Sequence, residues 1–504
     1  MSINTKKTSP ITIQFPVNPQ TIEATLNFIQ TLSSSWGVEK PEQNRIRLAL
    51  EELLLFLLNT SLSDPGADPL KIEFNLEPDA IRFLLHVKGL PLDLEKLPIF
   101  SSDVNDLEGD PEALNLFLAK HMMDKVTFTN KGKEGILIQM EKKRFELHVK
   151  NRMEKEEKLE TVIVSTEQKP LDFIIRQPKK SEAIGISKAA YLSYGYTYID
   201  FIYYPEKIIQ MQEQGQLHSL IVVKDDGEII GHAAVKLNQN NVNMGEQSML
   251  FVIPEYRKNY GIAPLLAKEI FDLAKKLGLS STYTHALTIH PKSQILFHKL
   301  GGHDFGILLG YLPKKTDLKG FDFEKTPKMS AVIQWVSLKE QRLRRFFTPP
   351  EYDEIIKGLY QEANIPFAIK RSSQKAPKKS EPYYLVNRID SLNIANIEIV
   401  KMGNDPEKTA KTCLHTTNTF KRQKIDAVYV YLPAEKKGCS TIARILRKEG
   451  FIFAGMFPDY FSDSDAFILQ SLSLDEDPFN LMQLASDNAL KLKELLHKEW
   501  NAIF

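Results

Sequence analysis

Two small residues at the mouth of a helix, behind a short basic loop, carry the clearest chemistry in this sequence. In Met249-Leu-Phe-Val-Ile-Pro-Glu-Tyr-Arg-Lys-Asn-Tyr-Gly-Ile-Ala263 an apolar strand ends at Pro254. The loop Arg257, Lys258, Asn259, Tyr260 follows, and Gly261, Ile262 and Ala263 lead into a helical stretch. The first N–H groups of a helix have no intrahelical partner, and the helix dipole adds partial positive charge at that end. A strand, a basic glycine loop and a helix N-terminus therefore form a cradle for an anion such as a phosphate. Small side chains at 261 and 263 let such a group reach the backbone.

The elements that must position this loop are legible from periodicity. Leu266, Ile270, Leu273 and Leu277 recur at helical spacing and mark a buried stripe. Upstream, residues 219–234 read as a hairpin, with Asp226-Gly227 as a tight turn between two apolar runs. Downstream, Ala286–Ile289 alternates like a strand and leads to His290 and Pro291; Ser293-Gln-Ile-Leu-Phe-His-Lys-Leu-Gly301 reads as a helix ended by glycine.

These segments together resemble the GNAT-type N-acetyltransferase family. The family loop reads Arg or Gln, two residues, Gly, one residue, then Gly or Ala; here it is Lys258-Asn-Tyr-Gly261-Ile-Ala263, with Arg257 just before it. The resemblance covers about residues 172–312. It implies a GNAT fold and acyl transfer from acetyl-CoA, or another acyl-CoA, to an amine acceptor that is a protein or a small molecule. It assigns cofactor contacts to Phe251 and Val252 on the strand, to Arg257, Lys258, Asn259, Tyr260, Gly261, Ile262 and Ala263 in the loop, and to Ser293. The strand Gln247–Val252 would offer backbone donors to the thioester carbonyl. Glu246, at the start of that strand, and His290 are the candidates for the base that takes a proton from the acceptor. Each has a plain alternative: a solvated strand-end carboxylate for Glu246, a loop-bonded imidazole for His290. The family's acid, a Tyr on the later helix, falls on Phe297, with His298 pointing elsewhere, so a thiolate leaving unassisted is the expectation.

Residues 1–142 read as an α/β sandwich and resemble the GHKL-type ATPase module of the anti-sigma-factor serine kinases. The similarity is carried by Arg45–Asn59, by Val87-Lys-Gly89-Leu-Pro-Leu-Asp93 and by Ala113–Asp124. Glu52 and Gly89 match, but the metal-binding Asn falls on Phe56, the adenine-binding Asp on Val87, and the Gly-x-Gly lid on Ala113-Leu-Asn115. A phenyl ring cannot ligate a hard cation, and an isopropyl group cannot accept a hydrogen bond. The expectation is a nucleotide-free module that contacts a protein partner, and an ATP-dependent kinase is disfavoured.

Residues 143–169 are a charged linker, 170–340 the acyltransferase domain, and 341–382 a helix, expected over 338–363, followed by a basic proline-broken segment. Residues 383–504 repeat the order strand, helix, strand, helix, strand, strand, and close with an amphipathic helix over Leu481–Trp500. They lack a glycine loop before their first helix and read as a degenerate GNAT-like α/β unit that binds no acyl-CoA. The fold class is thus α/β (α+β) across three domains.

Composition sets the outer limits. Forty-two per cent hydrophobic and 26% charged residues over 504 positions suit a multidomain globular protein. A net charge of +1 argues against a nucleic-acid footprint or a basic membrane-binding surface. Cys413 and Cys439 stand apart from any ligand spacing, so no metal site is expected, and with no apolar leader or spanning run the expected location is cytoplasmic. A regulatory protein that senses acyl-CoA without turnover is the alternative function.

Overall fold

The computed structural model describes residues 10–62, 68–77, 80–94, 97, 111–143, 172–238, 240–257, 260–313, 328–371 and 381–503. Lys258, Asn259, most of the 143–169 linker and most of the 370–382 segment lie outside the described residues. The chain forms two compact units. The first takes residues 1–172 with 181–196 and 200–207, and the second takes 173–180, 197–199 and 208–504.

The first unit contains β1 (Ile11–Phe15), α1 (Pro19–Ser35), α2 (Lys40–Thr60), β2 (Leu70–Leu76), β3 (Ala80–Val87), α3 (Pro111–Met122), β4 (Lys125–Asn130), β5 (Ile136–Lys143) and α4 (Ala183–Tyr194). The strands pair in the order β1-β2-β3-β5-β4, antiparallel throughout. Asn18 opens α1 with a reciprocal capping box to Thr21, which satisfies two orphan donors at once. Ile22, Leu26 and Ile29 of α1 and Ile46, Leu50, Leu53 and Leu57 of α2 meet Ile72, Phe74, Phe83 and Leu85 of the sheet in one core. Phe56 and Val87, the positions where the ATPase-like pattern would need polar ligands, are 1% and 0% exposed in that core. Gly89 is held by packing: a Cβ there would lie 2.1 Å from the Ser61 carbonyl oxygen. Ser61 also accepts from the Leu90 N–H at 2.6 Å, and the Tyr196 hydroxyl donates to the Gly89 carbonyl at 2.7 Å.

The second unit is built on one twelve-stranded sheet. Its elements are β6 (Phe173–Arg176), α5 (Pro205–Glu213, which starts at the end of the first unit), β7 (Leu217–Lys224), β8 (Ile229–Leu237), β9 (Met244–Val252), α6 (Ile262–Lys276), β10 (Ser281–Leu287), α7 (Lys292–His298), β11 (His303–Leu312) and β12 (Met329–Ser337). They continue with β13 (Arg344–Phe346), α8 (Asp353–Glu362), β14 (Phe367–Ile369), β15 (Tyr383–Ile389), β16 (Ile394–Lys401), α9 (Pro406–Arg422), β17 (Ala427–Pro433), α10 (Cys439–Lys448), β18 (Ile452–Phe461), β19 (Ser464–Leu472) and α11 (Asp487–Asn501). The sheet order is β15-β16-β17-β19-β18-β11-β12-β10-β9-β8-β7-β6. Among the described residues, the parallel pairs within this sheet are β9–β10 and β16–β17; β13 and β14 form a separate two-stranded parallel pair. Outward from the β11–β18 seam, the two sides show the same succession of strands and the same parallel pair. The sequence pattern sets 170–340 and 383–504 apart as separate domains, whereas their strands share this sheet.

The seam is narrow. β11 and β18 register at Gly306 and Gly455, and a Cβ on Gly455 would lie 2.3 Å from the Gly306 Cα. Gly455 also holds φ at 143°, where side chains are disfavoured.

The helix expected over 338–363 is shorter. Arg344–Phe346 is a strand with a buried-exposed-buried alternation, and helix begins only at Asp353. Pro349 and Pro350 explain this, because proline offers no N–H to a preceding turn and disfavours helical backbone before it. The strand is tied down by Arg344, 1% exposed, whose Nε lies 3.2 Å from Asp465 Oδ1 and whose guanidinium reaches Asp459 at 2.6 Å. Tyr360 donates to the same Asp465 at 2.6 Å. The closing helix expected over 481–500 starts at Asp487, where Ser486 accepts from the Ala489 N–H. Among the described residues no helix is long and apolar enough to cross a membrane.

Gly455→Ala should cost roughly 3 kcal/mol or more, from close contact and forced backbone together. Urea unfolding of the variant checks this, and a loss below about 1 kcal/mol would mean that the seam tolerates a side chain.

Candidate active site

Of the loop before α6, Arg257 and Tyr260 are among the described residues and Lys258 and Asn259 are not. Gly261 is the N-cap, at φ 61° and ψ 21°, and no side chain caps the helix. Among the described residues, a Cβ at this position would meet nothing within 4 Å. Pro264 sits in the first turn and has no N–H, which leaves the amides of Ile262 and Ala263 as its donors. α6 is anchored by Ile262, Leu266, Ala267, Ile270 and Ala274, all buried. It packs on β7, β8 and β9.

The other loop and strand residues divide by role. Arg257 turns back, its Nε donating to the Val252 carbonyl at 2.7 Å. Tyr260 lies 6.1 Å from the Tyr256 ring, which in turn sits under the Lys224 ammonium at 5.4 Å. Phe251 and Val252 are buried, 3% and 4% exposed. The Phe251 ring packs on His232 at 5.3 Å and on Tyr198 at 6.2 Å. Ser293 keeps a buried hydroxyl without a hydrogen-bond partner among the described residues.

β9 and β10 pair only at Met244–Ser281, Gly245–Thr282 and Glu246–Tyr283. Beyond Glu246, β9 stays with β8 as far as Gly231–Val252, while β10 stays with β12 as far as Leu287–Ala331. The two strands thus diverge, leaving an edge of each unpaired. Gln247 Nε2 and Ser248 Oγ, in the first residues past the divergence, are buried and have no hydrogen-bond partner among the described residues. An open helix N-terminus beside diverging strands with unsatisfied polar atoms suits an elongated ligand that carries both phosphates and amide groups.

Glu246 stands at this fork. Its Oε1 lies 2.9 Å from His285 Nδ1, with side chains 19% and 14% exposed. Burial pushes the Glu246 carboxyl up, but the hydrogen bond and charge of His285, with Lys236 behind, bring it below its ordinary value. Glu246 is therefore an ionised, paired carboxylate rather than a solvated strand end. The His285 ring stacks on Tyr311 at 5.0 Å and meets Tyr283 and Phe457 edge-on at 5.5 and 6.2 Å. Sequence reasoning missed His285. Two residues after Tyr283, it shares a face with the residue paired to Glu246, but that pairing is a tertiary fact.

The strand expected over 286–289 ends at Leu287, and His290 follows in the turn before α7, where burial lowers its affinity for a proton. Phe297 is core: 4% exposed, clustered with Phe271 and Val336, its ring filling the space a side chain on Gly302 would need. His298 is committed to Asp304, at 3.0 Å. Asp304, 1% exposed, also accepts from Gln334 at 2.7 Å and from the Ser486 hydroxyl.

At the corresponding place in the second half, before α9, the cradle is filled. Asp405 caps that helix, its Oδ1 accepting from the Lys408 N–H at 2.9 Å, and Pro406 follows directly. A carboxylate in this position repels an anion.

Residues 188–301 match the model of the acetyltransferase (GNAT) family, which makes this region a GNAT acetyltransferase domain and supports an N-acetyltransferase. Similar solved structures include mutant forms of the spermidine/spermine N-acetyltransferase SpeG from Vibrio cholerae, at 17% identity over 33% of this chain and 95% of that one, with a TM-score of 0.26. An N-acetyltransferase from Staphylococcus aureus Mu50 aligns at 18% identity over 33% of this chain and 99% of that one, with a TM-score of 0.28. Comparison with curated proteins gives no match.

The hydrogen bond that His298 donates to the Asp304 carboxylate raises the His298 pKa above its ordinary value. A group raised on folding stabilises fully below its unfolded pKa and loses that contribution as pH rises through the folded one. His298→Gln should therefore lose on the order of 1 kcal/mol relative to wild type near pH 5.5 and close that gap by pH 9, read as unfolding free energy in urea.

Proposed function

We propose that this chain is an acyl-CoA-dependent N-acyltransferase that moves an acetyl or other short acyl group to an amine. The observation that carries this reading is the open Gly261 cradle beside two strands that diverge at an ionised Glu246 paired to His285. The Ile262 and Ala263 amides would hold the diphosphate of coenzyme A, with Lys258, Asn259 and Tyr260 around it. The β9 backbone from Phe251 to Val252 and the Ser293 hydroxyl would line its arm. Bound there, the cofactor supplies an activated acyl group as a thioester.

Glu246 keeps the Nδ1 proton of His285 and stabilises the imidazolium that forms when the remaining ring nitrogen takes a proton from the acceptor ammonium. The rings of Tyr283, Tyr311 and Phe457 around His285 suit a cationic acceptor. With Phe297 at the acid position, the thiolate leaves unassisted. The first unit serves as a nucleotide-free module for a protein partner, because Phe56 and Val87 fill its core. The second half of the large sheet is a non-binding repeat, because Asp405 occupies its cradle.

Titration calorimetry with acetyl-CoA tests this. Wild type should bind, and Gly261→Glu should lose roughly 100-fold or more in affinity, together with a stability loss of about 1 kcal/mol from the left-handed backbone at φ 61°; Gly261→Ala, which carries the same backbone cost without the carboxylate, should keep most of the affinity. No heat from wild type at millimolar ligand would end the reading. Glu246→Gln should lower kcat by roughly 10²- to 10⁴-fold with acetyl-CoA affinity nearly unchanged. The Phe297 side chain favours one second reading, a sensor without turnover, which binding with no CoA release across an amine panel would establish.

A further inference from the structure

β8 and β9 do not pair evenly. His232 faces Phe251, but Ala234 faces Ser248, so Met249 and Leu250 together oppose Ala233 alone. This is a β-bulge, and it lies just past the point where β9 leaves β10. Met249 holds φ at 55°, a left-handed conformation that costs a side-chain-bearing residue roughly 1 kcal/mol or more. Such a conformation persists only where its surroundings impose it.

His232 is placed to impose it. The ring is fully buried on β8, with Nδ1 3.1 Å from the Met249 carbonyl oxygen and Nε2 3.0 Å from the Ser219 hydroxyl on β7. Burial lowers the imidazole to about 4, so at neutral pH it carries a single N–H. A carbonyl can only accept, so Nδ1 donates to Met249, and Nε2 accepts from Ser219. Ser219, 3% exposed, thus fixes the tautomer from the far side. The Phe251 ring covers the imidazole face. One polar chain therefore runs across three strands and ends on the strained residue. The structure offers the two ring nitrogens no other task, and the proposed chemistry at Glu246 and His285 does not use them.

We infer that His232 is a positioning residue that latches the Met249 bulge and so aims the β9 amides beyond it at the thioester carbonyl. This rests on the acyl-CoA reading of the cleft.

The test compares His232→Ala, His232→Asn and the double variant His232→Ala with Met249→Gly. Acetyl-CoA affinity is read by calorimetry, and kcat by CoA release with whichever amine wild type turns over. His232→Ala should lower kcat roughly 10- to 100-fold while changing acetyl-CoA affinity less than about threefold, since the Gly261 cradle is untouched. His232→Asn, whose amide N–H can take the Nδ1 position, should recover most of the loss. Met249→Gly should restore much of kcat in the Ala background, because glycine adopts the bulge conformation without a latch. Amide hydrogen exchange at Leu250–Val252 in the ligand-free protein should rise in His232→Ala and fall back in the double variant. Unchanged exchange with unchanged kcat overturns the latch alone. So does a kcat loss that neither Asn nor Met249→Gly repairs, which is the mark of a lost packing residue. Failure of wild type to bind acetyl-CoA overturns the latch together with the reading beneath it.

Discussion

The separation of β9 from β10 after Glu246 is the constraint on which the second unit turns. A parallel pair normally continues until one strand ends. Here each strand keeps a different neighbour, β8 on one side and β12 on the other, and the sheet opens between them. Opening a sheet strands backbone donors and acceptors, and that is costly unless water or a ligand satisfies them. The bulge at Met249 redirects β9, and the buried His232 holds that bulge in place. The fork then gathers the unpaired polar atoms of Gln247 and Ser248, the Glu246–His285 pair, and the open end of α6. Each of these would be an anomaly alone. Together they set this stretch of the sheet apart from its regularly paired remainder.

The same arrangement of strands occurs twice, joined back to back where Gly306 and Gly455 let two backbones come close. The two halves differ at the helix mouth. Before α6 stands a glycine with no side-chain cap on the helix; before α9 stands an aspartate that caps the helix with its own carboxylate. The capped end gains stability and gives up an anion site. The uncapped end forgoes that gain. The second half still contributes structure to the first: Phe457 of β18 packs on Tyr283 at 4.8 Å, and the Asp304 cluster ties α7 and β11 to Ser486 at the start of α11.

The first unit shows the converse. Its helices and strands carry polar residues where water lies and apolar ones where a nucleotide pattern would require ligands. Phe56 and Val87 are fully enclosed, and Gly89 is explained by the Ser61 carbonyl pressed against it. Packing alone accounts for the glycine at this position.

Local order is legible in the residues themselves. The strands at 70–76 and 80–87, the hairpin about Asp226-Gly227, and the stripe of α6 all follow from alternation, turn chemistry and helical spacing, which act within a few residues of each other. Gly261 is likewise visible, because a left-handed N-cap before a helix favours that residue type. Where a local signal is incomplete, the boundary shifts: Pro349 and Pro350 cut short a helix that apolar spacing alone extends, and Ser486 begins another later than its apolar stripe. What no window can contain is pairing over distance. Glu246 meets His285 because two parallel strands, joined through a helix, separate just beyond the Glu246–Tyr283 register. His232 reaches Met249 only because β9 bulges, and residues 170–340 join 383–504 because two glycines let their edges meet. Sequence settles which side chains an element can offer; only the assembled sheet decides which of them come within hydrogen-bond reach, since that depends on register between segments that the chain itself holds far apart.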